Sequence, residues 1–128
     1  MIDQTTFYTP ERPRNGNCGE AAVASILGLT LEEVPRFSRE GPDSFAYWDS
    51  FEQFLNSRGW EVLLMSGNYQ ADCMYLASGP SLRGCSHMVV MANGQLVHDP
   101  HPSRQGIIRV EHVHILVPKD PRGVKLHT

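Results

Sequence analysis

Hydrophobic positions along this chain change period near its middle. The run Cys18-Gly19-Glu20-Ala21-Ala22-Val23-Ala24-Ser25-Ile26-Leu27 follows a stretch interrupted by Pro10, Pro13 and Asn15-Gly16. Ala22 with Ile26 and Val23 with Leu27 recur at helical spacing, and Gly28 supplies the stop. Thr30-Leu31-Glu32-Glu33 has capping-box order, so a turn or two is predicted before Pro35. Asp43 or Ser44 can cap a further helix carrying Trp48, Phe51 and Leu55 on one face, ending at Gly59. From Trp60 onward the pattern suits strands: Trp60 to Met65, Met74 to Ala77, Ser86 to Met91, Gln95 to His98 and Ile107 to Val117. Gly79-Pro80, Asn93-Gly94 and Pro100 to Gly106 separate them. Helices first and strands later predict an α+β domain built on an antiparallel sheet.

Length and composition narrow the choice of function. The 128 residues, 41% hydrophobic and 20% charged, fit one domain over 1–128, with an extended arm over 1–14 and a loose tail over 119–128. A net charge of -3 offers no general field for a phosphate backbone, so no nucleic-acid partner is expected. No apolar stretch approaches a membrane span, and the N-terminus lacks the pattern of a signal peptide. Three cysteines, Cys18, Cys73 and Cys85, leave at least one free thiol and make a reducing cytoplasm the simpler setting.

Cys18 is the most informative of them. It opens a helix after a Gly-containing turn, where unpaired backbone N–H groups and the helix dipole favour a thiolate. Taken alone, a small buried thiol describes the position equally well. His87 opens one strand candidate and Asp99 closes the next, so hairpin register decides whether they meet. With a two-residue turn at Asn93-Gly94, His87 faces Pro100 and Asp99 turns away. With a three-residue loop and Gly94 in a left-handed bulge, Met91 pairs with Gln95 and His87 lies directly across from Asp99, which Ala92-Asn93-Gly94 suits well. That second register favours Asp99 over His98 as the partner of His87. Nucleophile, base and orienting carboxylate would then share one chain.

Asn17-Cys18-Gly19-Glu20-Ala21-Ala22, then His87-Met88-Val89-Val90, then Asp99-Pro100 resemble, in order, the papain-like cysteine peptidases of the bacteriocin-processing, double-glycine leader type. Gly79-Pro80-Ser81-Leu82-Arg83-Gly84 and Val97-His98-Asp99-Pro100-His101-Pro102-Ser103 are similar to their small stand-alone relatives from phages and bacteria. The likeness spans roughly residues 15 to 106. It implies a papain-like fold and a Cys18-His87-Asp99 triad that cleaves an amide bond of a peptide or protein through an acyl-thioester, with no cofactor. In one respect the chain departs from the family, which usually carries a Gln about six residues before the nucleophile as oxyanion donor. Here that place holds Arg12 and the only early Gln is Gln4. Asn15, Asn17 and Arg12 are the candidates for the missing donor, beside the backbone N–H of Cys18.

Two other classes compete. A binding protein on the same fold that has lost turnover would explain the absent Gln, and a deamidase or acyltransferase would use the same triad. His98 with His101 and His112 with His114 also offer metal ligands at short spacing, but neither pair matches a recognised zinc signature and no metal is expected. Cys85 reads as packing or cleft wall. Arg83 and Arg104 read as solvated loop arginines, with an acidic substrate group as the alternative.

Overall fold

The computed structural model describes residues 1–120 and 122. Helix α1 (Cys18–Leu27) ends where Gly28 takes a φ of 70° and donates its backbone N–H to the carbonyls of Ala24 and Ser25. Its alanines are the reason it lies so deep: eight of its ten residues, Gly19 to Ile26, are buried. A single 3-10 turn (Leu31–Glu33) follows, and Glu33 accepts from the Thr30 backbone N–H at 3.0 Å as its capping-box order requires. Helix α2 (Phe45–Ser57) sinks Phe51 and Leu55 into the core.

The strands are β1 (Trp60–Ser66), β2 (Met74–Pro80), β3 (Ser86–Ala92), β4 (Gln95–His98) and β5 (His112–Pro118). They form one antiparallel sheet in the order β1-β5-β2-β3-β4. The protein is therefore α+β, with two helices on a five-stranded antiparallel sheet. Val23, Ile26, Phe37, Phe51, Leu55, Leu76, Met88 and Val90 build the core between helices and sheet. Tyr75, Ala77, Val89 and Val113 form a second cluster, with Ile107 and Val110 packed against it.

Three sequence expectations need correction. Strand β2 runs through Gly79-Pro80 instead of stopping before them. The chain at Arg109 passes so close that a Cβ on Gly79 would come within 2.0 Å of the Arg109 carbonyl oxygen, so glycine is what lets the two backbones cross. Pro80, at the strand end, lacks only a donor. Second, β5 begins at His112, not Ile107, because residues 107–111 spend their backbone on the end of β2. The Ile108 N–H donates to the Pro80 carbonyl at 2.7 Å and the Glu111 N–H to that of Ser78 at 2.8 Å.

The third correction concerns the β3-β4 hairpin. Ala92 pairs with Gln95 and Met91 with Leu96, around a two-residue turn in which Asn93 and Gly94 have φ of 51° and 77°. Two successive positive φ angles are the signature of a type I′ turn, which follows the strand twist better than the three-residue loop. A bulge then intervenes and Val90 pairs with His98, so Met91 to Gln95, Val89 to Val97 and His87 to Asp99 are not the cross-strand partners. The expected tail over 119–128 lies largely outside the described residues; at its start Lys119 donates its backbone N–H to the Gly59 carbonyl at 2.8 Å.

Candidate active site

Despite the altered register, His87 and Asp99 meet. The bulge adds one residue to β4 relative to the two-residue turn, which restores the alternation and brings Asp99, one position past the strand, back to the side of His87. His87 Nε2 and Asp99 Oδ1 are 2.6 Å apart, and both side chains are almost completely withdrawn from solvent. The Asp99 carboxylate also accepts the backbone N–H of His101 at 2.9 Å on Oδ1 and that of Gly106 at 2.7 Å on Oδ2. The loop after β4 thus folds around the carboxylate, as an Asp-Pro turn opener with a free acceptor invites.

Burial by itself would lower the basicity of His87, but the hydrogen bond to Asp99 and interaction with Cys18 outweigh it and raise the imidazole to about 9. Burial likewise works against ionised Asp99. The bond from His87 and the two backbone donors win, and hold its carboxyl well below the usual carboxylate range. At neutral pH this is a buried imidazolium-carboxylate pair.

Cys18 stands at the first position of α1 and lines the same cleft as His87. Its sulfur acts on the ring strongly enough to help raise it, although no described contact between them meets hydrogen-bond geometry. The start of α1 is left open. Asn17 occupies the N-cap position without capping, since its Oδ1 accepts instead from the backbone N–H groups of Thr5 and Thr6 at 2.9 and 3.0 Å. The first backbone bond of the helix is donated by Ala21, so the N–H groups of Cys18, Gly19 and Glu20 have no acceptor among the described residues.

This commits one of the three proposed oxyanion donors. Asn17 Nδ2 donates to Thr5 Oγ1 at 3.0 Å, and Asn17 does not line the cleft. Asn15 Nδ2 donates to the Phe7 carbonyl at 3.3 Å, and Arg12 is exposed on a separate shallow depression with Arg36. None of the three is presented to the cleft as a free donor. Gln4, the only early glutamine, is buried in the cleft wall. Its backbone N–H binds the Pro100 carbonyl at 3.0 Å, its Nε2 donates to the Thr6 carbonyl at 2.9 Å, and its buried Oε1 has no partner. Its being the only glutamine in the N-terminal arm was the available signal.

The cleft encloses about 720 Å³ between α2 and the sheet. A second element that the spacing argument overlooked holds its rim. Glu20, two residues after Cys18, is 2% exposed, accepts the Phe37 N–H at 2.9 Å and forms a two-pronged ion pair with Arg39. Arg39 in turn binds the Gly16 carbonyl at 2.7 Å and lies over the Tyr47 ring at 4.9 Å. The one charged residue in a buried helix was the clue to this network.

Other polar candidates have different tasks. Cys85 lines the cleft, with Ser81 Oγ 3.4 Å from its sulfur. Arg83 also lines it and reaches Ser103 Oγ at 3.4 Å. Arg104 is an exposed loop arginine that also has partners: it holds both carboxylate oxygens of Asp3 at 2.6 and 2.9 Å and donates to the Asp99 carbonyl, tying the N-terminal arm to the Asp99 loop. His98 Nε2 lies 2.9 Å from the Ile2 carbonyl and His101 Nδ1 2.8 Å from Ser103 Oγ, so the two are directed at separate partners. His114 Nε2 is 3.3 Å from Ser78 Oγ. No helix among the described residues is long and apolar enough to cross a membrane. Comparison of the chain with family models, with curated proteins and with solved structures finds no match in any of the three.

Proposed function

We propose that the protein is a papain-like cysteine hydrolase that opens an amide bond of a peptide or protein. One observation carries this reading: an imidazole fixed and held cationic by a buried carboxylate shares a cleft with a thiol at an uncapped helix start. Asp99 occupies Nε2 of His87, which leaves Nδ1 for exchange with Cys18. Cys18 attacks the scissile carbonyl as thiolate, His87 delivers its proton to the leaving amine, and the acyl group is left on sulfur. His87 then removes a proton from water as the thioester is hydrolysed. Asp99 keeps the ring in orientation and stabilises the imidazolium throughout. The free N–H of Cys18 supplies one donor to the oxyanion.

The test is competitive labelling. With limiting iodoacetamide at several pH values, Cys18 should be modified well ahead of Cys73 and Cys85, and His87→Ala should abolish that preference. Equal, slow labelling of all three thiols would refute the reading.

A further inference from the structure

We infer that the Tyr47 hydroxyl is the second oxyanion donor of this site, acting beside the Cys18 backbone N–H. The inference rests on the hydrolase reading above and fills the place left by Asn15, Asn17 and Arg12.

Tyr47 projects from the first turns of α2 into the cleft that holds Cys18 and His87. A Cβ built on Gly19 would lie 1.9 Å from the Tyr47 oxygen, so the hydroxyl sits directly against the residue that follows the nucleophile. Glycine at position 19 is what allows this approach. The hydroxyl makes no hydrogen bond among the described residues, although the ring that carries it is fixed on several sides. Arg39 lies over one face, and Phe37 and Trp48 meet the ring at interplanar angles of 84° and 82°. A rigidly held, uncommitted O–H at this position is a preorganised donor, because no bond must be broken when charge develops on the substrate oxygen.

The proton stays on that oxygen throughout the working pH range. Burial, then interaction with Cys18 and Glu20, push the phenol well above its ordinary value, against a smaller opposing pull from Arg39. Gln4 is the competing donor in the cleft. One of its two amide N–H groups is engaged with Thr6 and its carbonyl oxygen has no partner, so Gln4 is tested directly beside Tyr47.

Two reagents that attack the same sulfur separate the possibilities. p-Nitrophenyl acetate acylates a thiolate through a tetrahedral oxyanion: the S–C bond forms, the carbonyl electron pair moves to oxygen, and its return expels p-nitrophenolate. Iodoacetamide alkylates by direct displacement of iodide and forms no oxyanion. Tyr47→Phe, which keeps the ring and its contacts, should slow acylation of Cys18 about 10- to 100-fold while alkylation stays within about twofold. Gly19→Ala, which must push the hydroxyl away, should reproduce the same split. Unchanged acylation in both variants, a parallel fall in both reactions, or a selective acylation defect in Gln4→Ala instead would overturn the assignment. A wild-type Cys18 that reacts with neither reagent ahead of Cys73 and Cys85 would overturn the hydrolase reading itself, and the Tyr47 role with it.

Discussion

Two buried histidines stand on the same sheet and open onto the same cleft, yet they are driven in opposite directions. His87 on β3 is 3% exposed and rises to about 9; His114 on β5 is 4% exposed and falls to about 4. Burial opposes the imidazolium in both. The difference is the partner. Asp99 offers His87 a full charge at 2.6 Å, whereas His114 has the neutral Ser78 hydroxyl at 3.3 Å, a stacked Trp48 ring at 5.0 Å and the like-charge influence of His112. Asp99, with Cys18 beside it, thus separates a buried imidazole that is charged at neutral pH from one that is not.

Removing that carboxylate should have the largest effect. Asp99→Asn makes the surroundings of His87 resemble those of His114, and turnover should fall by ~10²- to 10⁴-fold. The surviving activity should lose its alkaline limb at a lower pH than wild type, whose limb follows His87 at about 9. A pH-rate profile of p-nitrophenyl acetate hydrolysis measures both. An Asp99→Asn variant as active as wild type would remove Asp99 from the proposed mechanism.

The reverse exchange sharpens the comparison. Ser78→Asp places a carboxylate beside His114 and should raise its titration midpoint by about 2 pH units or more, read from the imidazole proton resonances. A midpoint that stays near 4 would mean that burial against Trp48, and not the missing charge, dominates.

Stability carries the same contrast with the signs reversed. The raised value of His87 contributes stability that is complete below the unfolded value near 6.5 and is lost as pH rises through about 9. His114 behaves oppositely: the unfolded chain takes up its proton near 6.5 while the folded one resists until about 4, so stability falls as pH drops across that interval. His114→Phe should flatten this acid loss by roughly 2 kcal/mol between pH 7 and pH 4.5. Urea unfolding of both proteins at pH 7 and pH 4.5 gives the difference, and an equal loss in the two would exclude His114 as its source.

The smallest expected effect concerns the hairpin that leads to Asp99. Gly94 has a φ of 77°, and a Cβ there would approach Gln70 Cδ to 2.7 Å. Gly94→Val should cost on the order of 1 kcal/mol or more through the backbone conformation, seen as a lower Tm. The flexible Gln70 side chain can move aside. Because the bulge farther along β4 sets the position of Asp99, the His87-Asp99 bond should survive, and with it the high titration of His87.

Much of the architecture was legible in local pattern. Alanine-rich spacing and Gly28 delimit α1 to the residue, Thr30-Glu33 gives the short turn, and the apolar strands from Trp60 onward appear nearly where expected. These features depend on neighbours within a few positions. Cys18, His87 and Asp99 stood out for the same reason, each placed at the end of a recognisable element. The register of the hairpin was misjudged because Ala-Asn-Gly permits two turns, and the choice between them rests on strand twist and on the β4 bulge.

Chain chemistry by itself determined the elements, the α+β class and which thiol, imidazole and carboxylate were worth pairing. Tertiary structure alone decided that Asn17 turns from the helix start toward Thr5 and Thr6, that Gln4 and Tyr47 enter the cleft, and that Glu20 meets Arg39. It also gave His87 a carboxylate and withheld one from His114. The physical reason is range: helical and strand periods are fixed by steric and solvent preferences of adjacent residues, whereas a donor's freedom and a histidine's charge depend on groups brought together from distant parts of the chain.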